Sequence, residues 1–233
     1  MRKTPLKPDA MRAASPDELR TIPWLDALAD VDRRRTEAAL RVRDCEPGQS
    51  LCRRGGRPAH WIGVVDGLLK MSKDAADGRS FTYAGLPPGG WFSEGTLLKR
   101  DCYRYDIQAL RRSRVALLPV EDFHWLLDHS LGFNRFVMSL LNERLGQFIA
   151  SSEADRRSDP DARVANHLLA LFNPALCPGV GSMLRITQQE LAYLVGLSRQ
   201  RVNEALRRLE DRGAIRVEYG GVRMLERGML HSA

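Results

Sequence analysis

Arg199, Gln200 and Asn203 stand in the first turns of a segment where Val202, Ala205, Leu206 and Leu209 recur at i, i+3, i+4 and i+7. That spacing is one apolar face of a helix. Guanidinium and carboxamide groups are the side chains that read base edges in a major groove, arginine pairing with guanine and glutamine or asparagine with adenine. Glu204 adds an acceptor to the same face as a fourth candidate for base contact, and Arg207 and Arg208 add charge. Thr187, Gln188, Gln189 and Ser198 mark the starts of two helices, where contacts to phosphate fix register without reading sequence; Arg201 is a further phosphate candidate. The chemistry on offer is therefore recognition of double-stranded DNA. A hairpin with a merely solvated basic face would leave three base-edge side chains in the first turns unexplained.

The elements that must position these groups are legible around them. Thr187 followed by Glu190 is a capping box that opens a helix. Leu191, Ala192 and Val195 give it one buried face, Gly196 turns the chain, and Ser198 caps the second helix. Gly213 ends that helix, and 215–225, broken by Gly220-Gly221, reads as a β-hairpin wing. The pattern is a winged helix-turn-helix whose second helix enters the groove.

With 233 residues the chain is long enough for more than one core, and a net charge of +7 suits a polyanionic partner. No apolar run approaches the roughly 20 residues of a membrane span, and no apolar stretch follows Arg2, Lys3 and Lys7 as in a secretory signal. A cytoplasmic location is expected. The four cysteines (Cys45, Cys52, Cys102, Cys177) and five histidines are scattered without metal-ligand spacing, so unpaired thiols and no metal centre are expected. A redox role for Cys45 or Cys102 is the minor alternative.

Upstream, short β-like runs at 50–53, 61–65, 68–72, 80–86, 105–110 and 114–118 are punctuated by Gly48, Gly55, Gly67, Gly78 and Gly89-Gly90. Many short strands at close spacing predict a small antiparallel barrel or roll. Helix begins at 123–128, and a long helix follows from about 131 to 152. Its stripe of Phe133, Phe136, Val137, Leu140, Leu141, Leu145, Phe148 and Ile149 is wide enough to face both the roll and a second helix. Readers of this kind bind two half-sites about 34–36 Å apart as two-fold dimers, so the stripe is expected to serve homodimerisation. The fold class is α+β: an N-terminal antiparallel β-roll, a long central dimerisation helix and a C-terminal winged helix-turn-helix. The expected division is 1–20 as a flexible lead-in, 21–130 as the roll, 131–158 as the central helix and 159–233 as the DNA-binding domain.

This order of parts resembles the CRP/FNR superfamily of bacterial transcription regulators over about 47–225. The resemblance rests most on the 186–215 stretch, with Val64-Val65-Asp66-Gly67 similar to a strand-turn signature and Asp159 at the place of a hinge aspartate. It implies an effector pocket. Cyclic-nucleotide-binding members carry Gly-Glu-Leu with an arginine ten residues after the glutamate, the arginine for the cyclic phosphate and the glutamate for the ribose. Here Ser93-Glu94-Gly95 and Arg104 stand at those positions, so the glycine and leucine are changed, and Tyr105 replaces a small residue. Phe148 and Ile149 align with the polar pair that contacts adenine. The resemblance thus implies an altered pocket: Arg104 either binds phosphate or pairs with Glu94 or Asp106, and the effector is cyclic AMP, another nucleotide, another small molecule or none. It also implies contact with RNA polymerase, with the 173–183 loop as the candidate surface by position. The rival reading is a cupin-like metal-binding enzyme or sensor on the roll, which needs several histidines and a carboxylate to converge. Only His60 offers itself there. A haem sensor with a single histidine ligand is the third reading.

Overall fold

A computed structural model of the chain describes residues 11–74, 80–156 and 159–230. In chain order the first part contains β1 (Arg12–Ala13), α1 (Pro16–Arg20), α2 (Asp30–Ala39), β2 (Arg41–Cys45), β3 (Ser50–Cys52), β4 (His60–Asp66), β5 (Leu69–Asp74), β6 (Ser80–Leu86), β7 (Trp91–Phe92), α3 (Glu94–Leu98), β8 (Asp106–Ala109) and β9 (Ser113–Pro119). Next come α4 (Val120–His129) and the central helix α5 (Leu131–Arg156). The last part holds α6 (Pro160–Leu171), β10 (Met183–Arg185), α7 (Gln188–Val195), α8 (Arg199–Asp211), β11 (Ile215–Glu218) and β12 (Gly221–Met224).

The roll is two antiparallel sheets, ordered β1-β2-β9-β4-β7 and β3-β8-β5-β6. Alternation puts Ile62, Val64, Val115 and Leu117 of one sheet against Leu69, Leu86 and Ile107 of the other, and these fill the interior. Outside the roll, Trp24, Trp61, Trp91, Phe123 and Phe133 form a buried aromatic cluster, with ring centroids 5.1 Å apart for Trp24–Trp61 and 4.3 Å for Trp61–Trp91. Each such side chain contributes roughly 1.5–3 kcal/mol by leaving water. The cluster joins the turn Pro23–Ala27, the sheet, α4 and α5.

Two expectations change. The lead-in expected through 20 gives way to structure from Arg12, because β1 pairs with β2 and Ser15 and Glu18 make a reciprocal capping box at α1; 1–10 lie outside the described residues. Strands β1, β2 and β7 were not foreseen: two of them are two residues long, and β2 (Arg-Val-Arg-Asp-Cys) is too polar to stand out. The apolar stripe of α5 also divides. Phe133, Val137 and Leu140 of the stripe are buried, whereas its Leu145 and Ile149, together with Leu131 and Met138 from outside it, are each more than half exposed. At about 100° per residue the exposed four lie within about 40° of one another, roughly opposite the buried set.

The C-terminal part packs directly on the roll, and one apolar core runs from Trp24 through α5 to Leu230. Gly85 of β6 permits the approach: a Cβ there would sit 2.7 Å from Leu194 and 2.8 Å from Leu171. The buried Lys70 places its Nζ 4.0 Å from the Tyr193 ring centroid, a cation–π contact that lets the ammonium be buried. Arg111, on the β8–β9 turn, donates to the Gly67 carbonyl (3.2 Å) and the Arg185 carbonyl (2.7 Å) and pairs with Glu190 at 3.4 Å.

Candidate nucleic-acid interface and effector pocket

Helix α7 opens as the sequence predicts. Thr187 Oγ1 accepts from the Glu190 amide (3.1 Å) while the Thr187 amide donates to Glu190 Oε2 (2.8 Å). Gly196 closes it in the left-handed region, φ 71°, and Ser198 Oγ then accepts from the Arg201 amide (3.2 Å) to start α8. Val202, Ala205, Leu206 and Leu209 are buried against α6 and α7, which turns Arg199 and Gln200 to solvent. The wing, β11–β12 paired with β10, stands beside them.

These parts enclose a groove of about 480 Å³, lined by Thr187, Gln188, Gln189, Arg199 and the wing turn around Tyr219. Arg199 makes no ion pair or side-chain hydrogen bond among the described residues, so its whole guanidinium faces outward. Gln200 Nε2 donates to Glu204 Oε1 at 3.2 Å, and Asn203 Oδ1 accepts from Gln188 Nε2 at 3.1 Å, holding both carboxamides in place. Arg201 is placed differently from the sequence expectation. It turns inward, pairing with Glu204 at 2.9 Å and with the buried Asp161 at 3.2 Å. Arg208 reaches the same aspartate at 2.6 Å. Hydrogen bonds from Arg201 first, then Gln200, hold the Glu204 carboxyl below its ordinary range. Asp159 caps α6 by accepting from the Asp161 amide at 3.0 Å.

In the roll, Glu94 and Arg104 line one cavity of about 290 Å³ between α3, the 99–105 loop and α5. They do not meet. Arg104 is largely exposed and pairs with Asp101 at 3.0 Å, which corrects the expected pairing with Glu94 or Asp106; Asp106 instead accepts from the Arg54 amide. Glu94 is buried, and its Oε1 accepts from Arg144 Nε at 2.5 Å. Arg144 Nη2 also donates to the Trp91 carbonyl. Glu94 Oε2 is buried with no hydrogen-bond partner among the described residues. Burial holds the Tyr105 phenol on the cavity wall above its ordinary range. The helical wall is Leu141 and Arg144, not Phe148 and Ile149. Phe148, one turn further on, lines a neighbouring cavity, and Ile149, about 100° around the helix, joins the exposed face. Arg144 is the site residue that sequence reasoning missed; one of two arginines, with Arg135, inside the α5 stripe, it carried no distinguishing signal.

A model of the cyclic nucleotide-binding domain matches 42–130, and one of the Crp-like helix-turn-helix domain matches 162–233. The cyclic AMP receptor protein of Thermus thermophilus is 31% identical over 169 residues, which are 72% of this chain and 76% of that protein. The chain belongs to the CRP/FNR family of bacterial transcription regulators. A second family member, the CRP-like cAMP-activated global transcriptional regulator of Mycobacterium tuberculosis, is 28% identical over 165 residues, 66% of this chain and 70% of the relative. FixK2 from Bradyrhizobium japonicum shares the fold at TM-score 0.65 and 19% identity, over 82% of this chain and 95% of that one. The family's two domain models fall on the roll and on the 160–230 region built above. Among the described residues no three His, Cys, Asp or Glu side chains gather as a metal site would need, and no helix is long and apolar enough to cross a membrane. The cupin-like reading finds no support in this regulator.

Proposed function

We propose that this CRP-like regulator binds a two-fold DNA site as a homodimer and reads it with Arg199, Gln200 and Asn203, while its cyclic-AMP-type pocket is altered. The observation that carries the reading is the outward Arg199, without an ion-pair partner among the described residues, at the mouth of the groove between α7, α8 and the wing. Glu204 shapes the reading face by fixing Gln200, and Thr187, Gln188, Gln189 and Ser198 present helix N-termini to phosphates. Arg201 acts through Glu204 and Asp161 rather than on DNA. The exposed seam of Leu131, Met138, Leu145 and Ile149 supports dimerisation, since an apolar ridge of that length on a helix calls for a second helix.

In the pocket, Arg144 occupies the carboxylate that a ribose would need, and Arg104 is tied to Asp101. Cyclic AMP therefore binds weakly or not at all, and DNA binding does not strictly require it. The test is selection of bound DNA from a random pool with and without cyclic AMP. A palindromic site with half-sites about 34–36 Å apart is expected in both conditions. Arg199→Ala should cost roughly 1–3 kcal/mol and relax one base pair per half-site, whereas Gln189→Ala, at a phosphate-facing position with no bond to a base-reading side chain among the described residues, should weaken all sequences alike. Unchanged affinity and selectivity in Arg199→Ala would overturn the docking. Calorimetry giving a submicromolar cyclic AMP constant that Arg104→Ala abolishes would overturn the pocket reading.

A further inference from the structure

A second cavity, of about 300 Å³, lies where roll, central helix and DNA-binding domain meet. Its walls are Ala84, Gly85 and Leu86 of β6, Phe148 of α5, and the α6 face that carries Arg163 and Leu171. Met71, Leu176 and Cys177 add apolar lining, Thr82, Gln147, Asn166 and His167 supply neutral or titratable polar groups, and burial pushes the Cys177 thiol up to about 12, so it adds no charge. Two guanidinium groups border this space and no carboxylate does. Arg144 is committed to Glu94 and to the Trp91 carbonyl. Arg163 is not: its Nη2 donates to the Val195 carbonyl at 2.7 Å, its Nε is buried without a partner, and no carboxylate pairs with it among the described residues. A buried donor on an unpaired cation beside apolar walls is costly to leave unmet. Phe148 and Tyr83, both more than half exposed, add two aromatic rings to the rim.

We propose that this interdomain cavity is a ligand site for a small aromatic carboxylate, its anion on Arg163 and its ring against Phe148 and Leu171. The anion would answer the guanidinium of the lining that has no carboxylate partner among the described residues, and the ring would replace water on apolar surface. The site is distinct from the cavity of Glu94 and Arg104, from which Arg144 and Met71 divide it. Because β6 and α6 supply opposite walls, occupancy also bears on how the DNA-binding domain sits on the roll. That consequence rests on the reading of the chain as an effector-answering DNA-binding protein.

The experiment is calorimetry on the full chain with benzoate, 2-naphthoate and 4-biphenylcarboxylate, and with 2-naphthalenemethanol as the uncharged counterpart of naphthoate. At least one carboxylate should bind once per chain, and the alcohol at least tenfold more weakly than naphthoate. Arg163→Met should weaken carboxylate binding at least tenfold, with Arg163→Lys restoring part of it. Phe148→Ala, at an exposed position that tolerates truncation, should also weaken it at least tenfold. Silence from all three carboxylates, equal binding of the alcohol, or indifference to both Arg163→Met and Phe148→Ala would overturn the site. DNA affinity is measured separately with the bound carboxylate. Binding that meets these criteria while leaving DNA affinity unmoved sustains the site and overturns the effector reading alone.

Discussion

Replacing Arg144 by methionine isolates the interaction that most alters the roll pocket. Glu94 is buried, and among the described residues its only side-chain partner is Arg144, through the 2.5 Å bond from Nε. The Trp91 carbonyl loses a donor in the same change. Methionine keeps much of the stem's apolar volume, so the cost falls on the stranded carboxylate. Removing one partner of a buried pair costs about 3–5 kcal/mol, and Arg144 is about a quarter exposed, which places the expectation near 3. For a chain of this size that corresponds to a fall in melting temperature of roughly 6–12 °C. The assay is urea unfolding of wild type, Arg144→Met, Glu94→Gln and the double variant. The double variant should recover at least half of the loss, because no charge is then stranded. Arg144→Met within about 0.5 kcal/mol of wild type, or strict additivity in the cycle, would refute the reasoning.

Three further outcomes are expected. Ser93 sits at φ 85°, a region that favours glycine, so Ser93→Gly should raise stability by up to about 1 kcal/mol in urea unfolding. Hydrogen bonds from Arg12, and then from Ser15, hold the Glu18 carboxyl down at about 2 against an ordinary 4.5. A depressed carboxyl stabilises the fold above its unfolded value, so Glu18→Gln should cost about 1.5–3 kcal/mol at pH 7, and the gap to wild type should close as pH falls from about 4.5 through about 2. Arg111→Ala should speed amide exchange at 185–190 by about tenfold while 60–66 stays unchanged, because the lost bonds tie the roll to the α7 capping box.

How much was legible depended on the range of the signal. The helix-turn-helix could be read residue by residue because each determinant is local: Thr187 with Glu190, Gly196 at φ 71°, Ser198 with the Arg201 amide. The strand β6 was legible for the same reason, while two-residue β1 and β7 exist only through their pairing with β2 and β4. The N-terminal capping box of Ser15 and Glu18 was present in the sequence but masked by proline and charge around it. Arg104 shows the limit of spacing as a guide. Its ten-residue offset from Glu94 is intact, yet Asp101 takes its guanidinium and Arg144, fifty residues from Glu94, takes the carboxylate. Charge pairing across that separation leaves no periodic trace.

The placement of the reading helix constrains how any signal from the roll can act. Contacts to the roll are made by the side of the DNA-binding domain that carries Leu171, Tyr193 and Leu194, through Gly85, Lys70 and Arg111. Arg199 and Gln200 lie on another face and are already exposed in the single chain. An effector therefore has nothing to unmask on this surface. What remains adjustable in the proposed dimer is the distance and angle between two reading helices, which must match half-sites about 34–36 Å apart. The roll-facing contacts are close enough to transmit such a shift: a Cβ on Gly85 alone would displace Leu194, which packs at the start of the turn to α8. Regulation by geometry rather than by exposure predicts that a single half-site is bound equally well with or without an effector, and that only the full palindrome discriminates. Band-shift titration of half-site and full-site duplexes decides it, and an effector-dependent half-site would sink the idea.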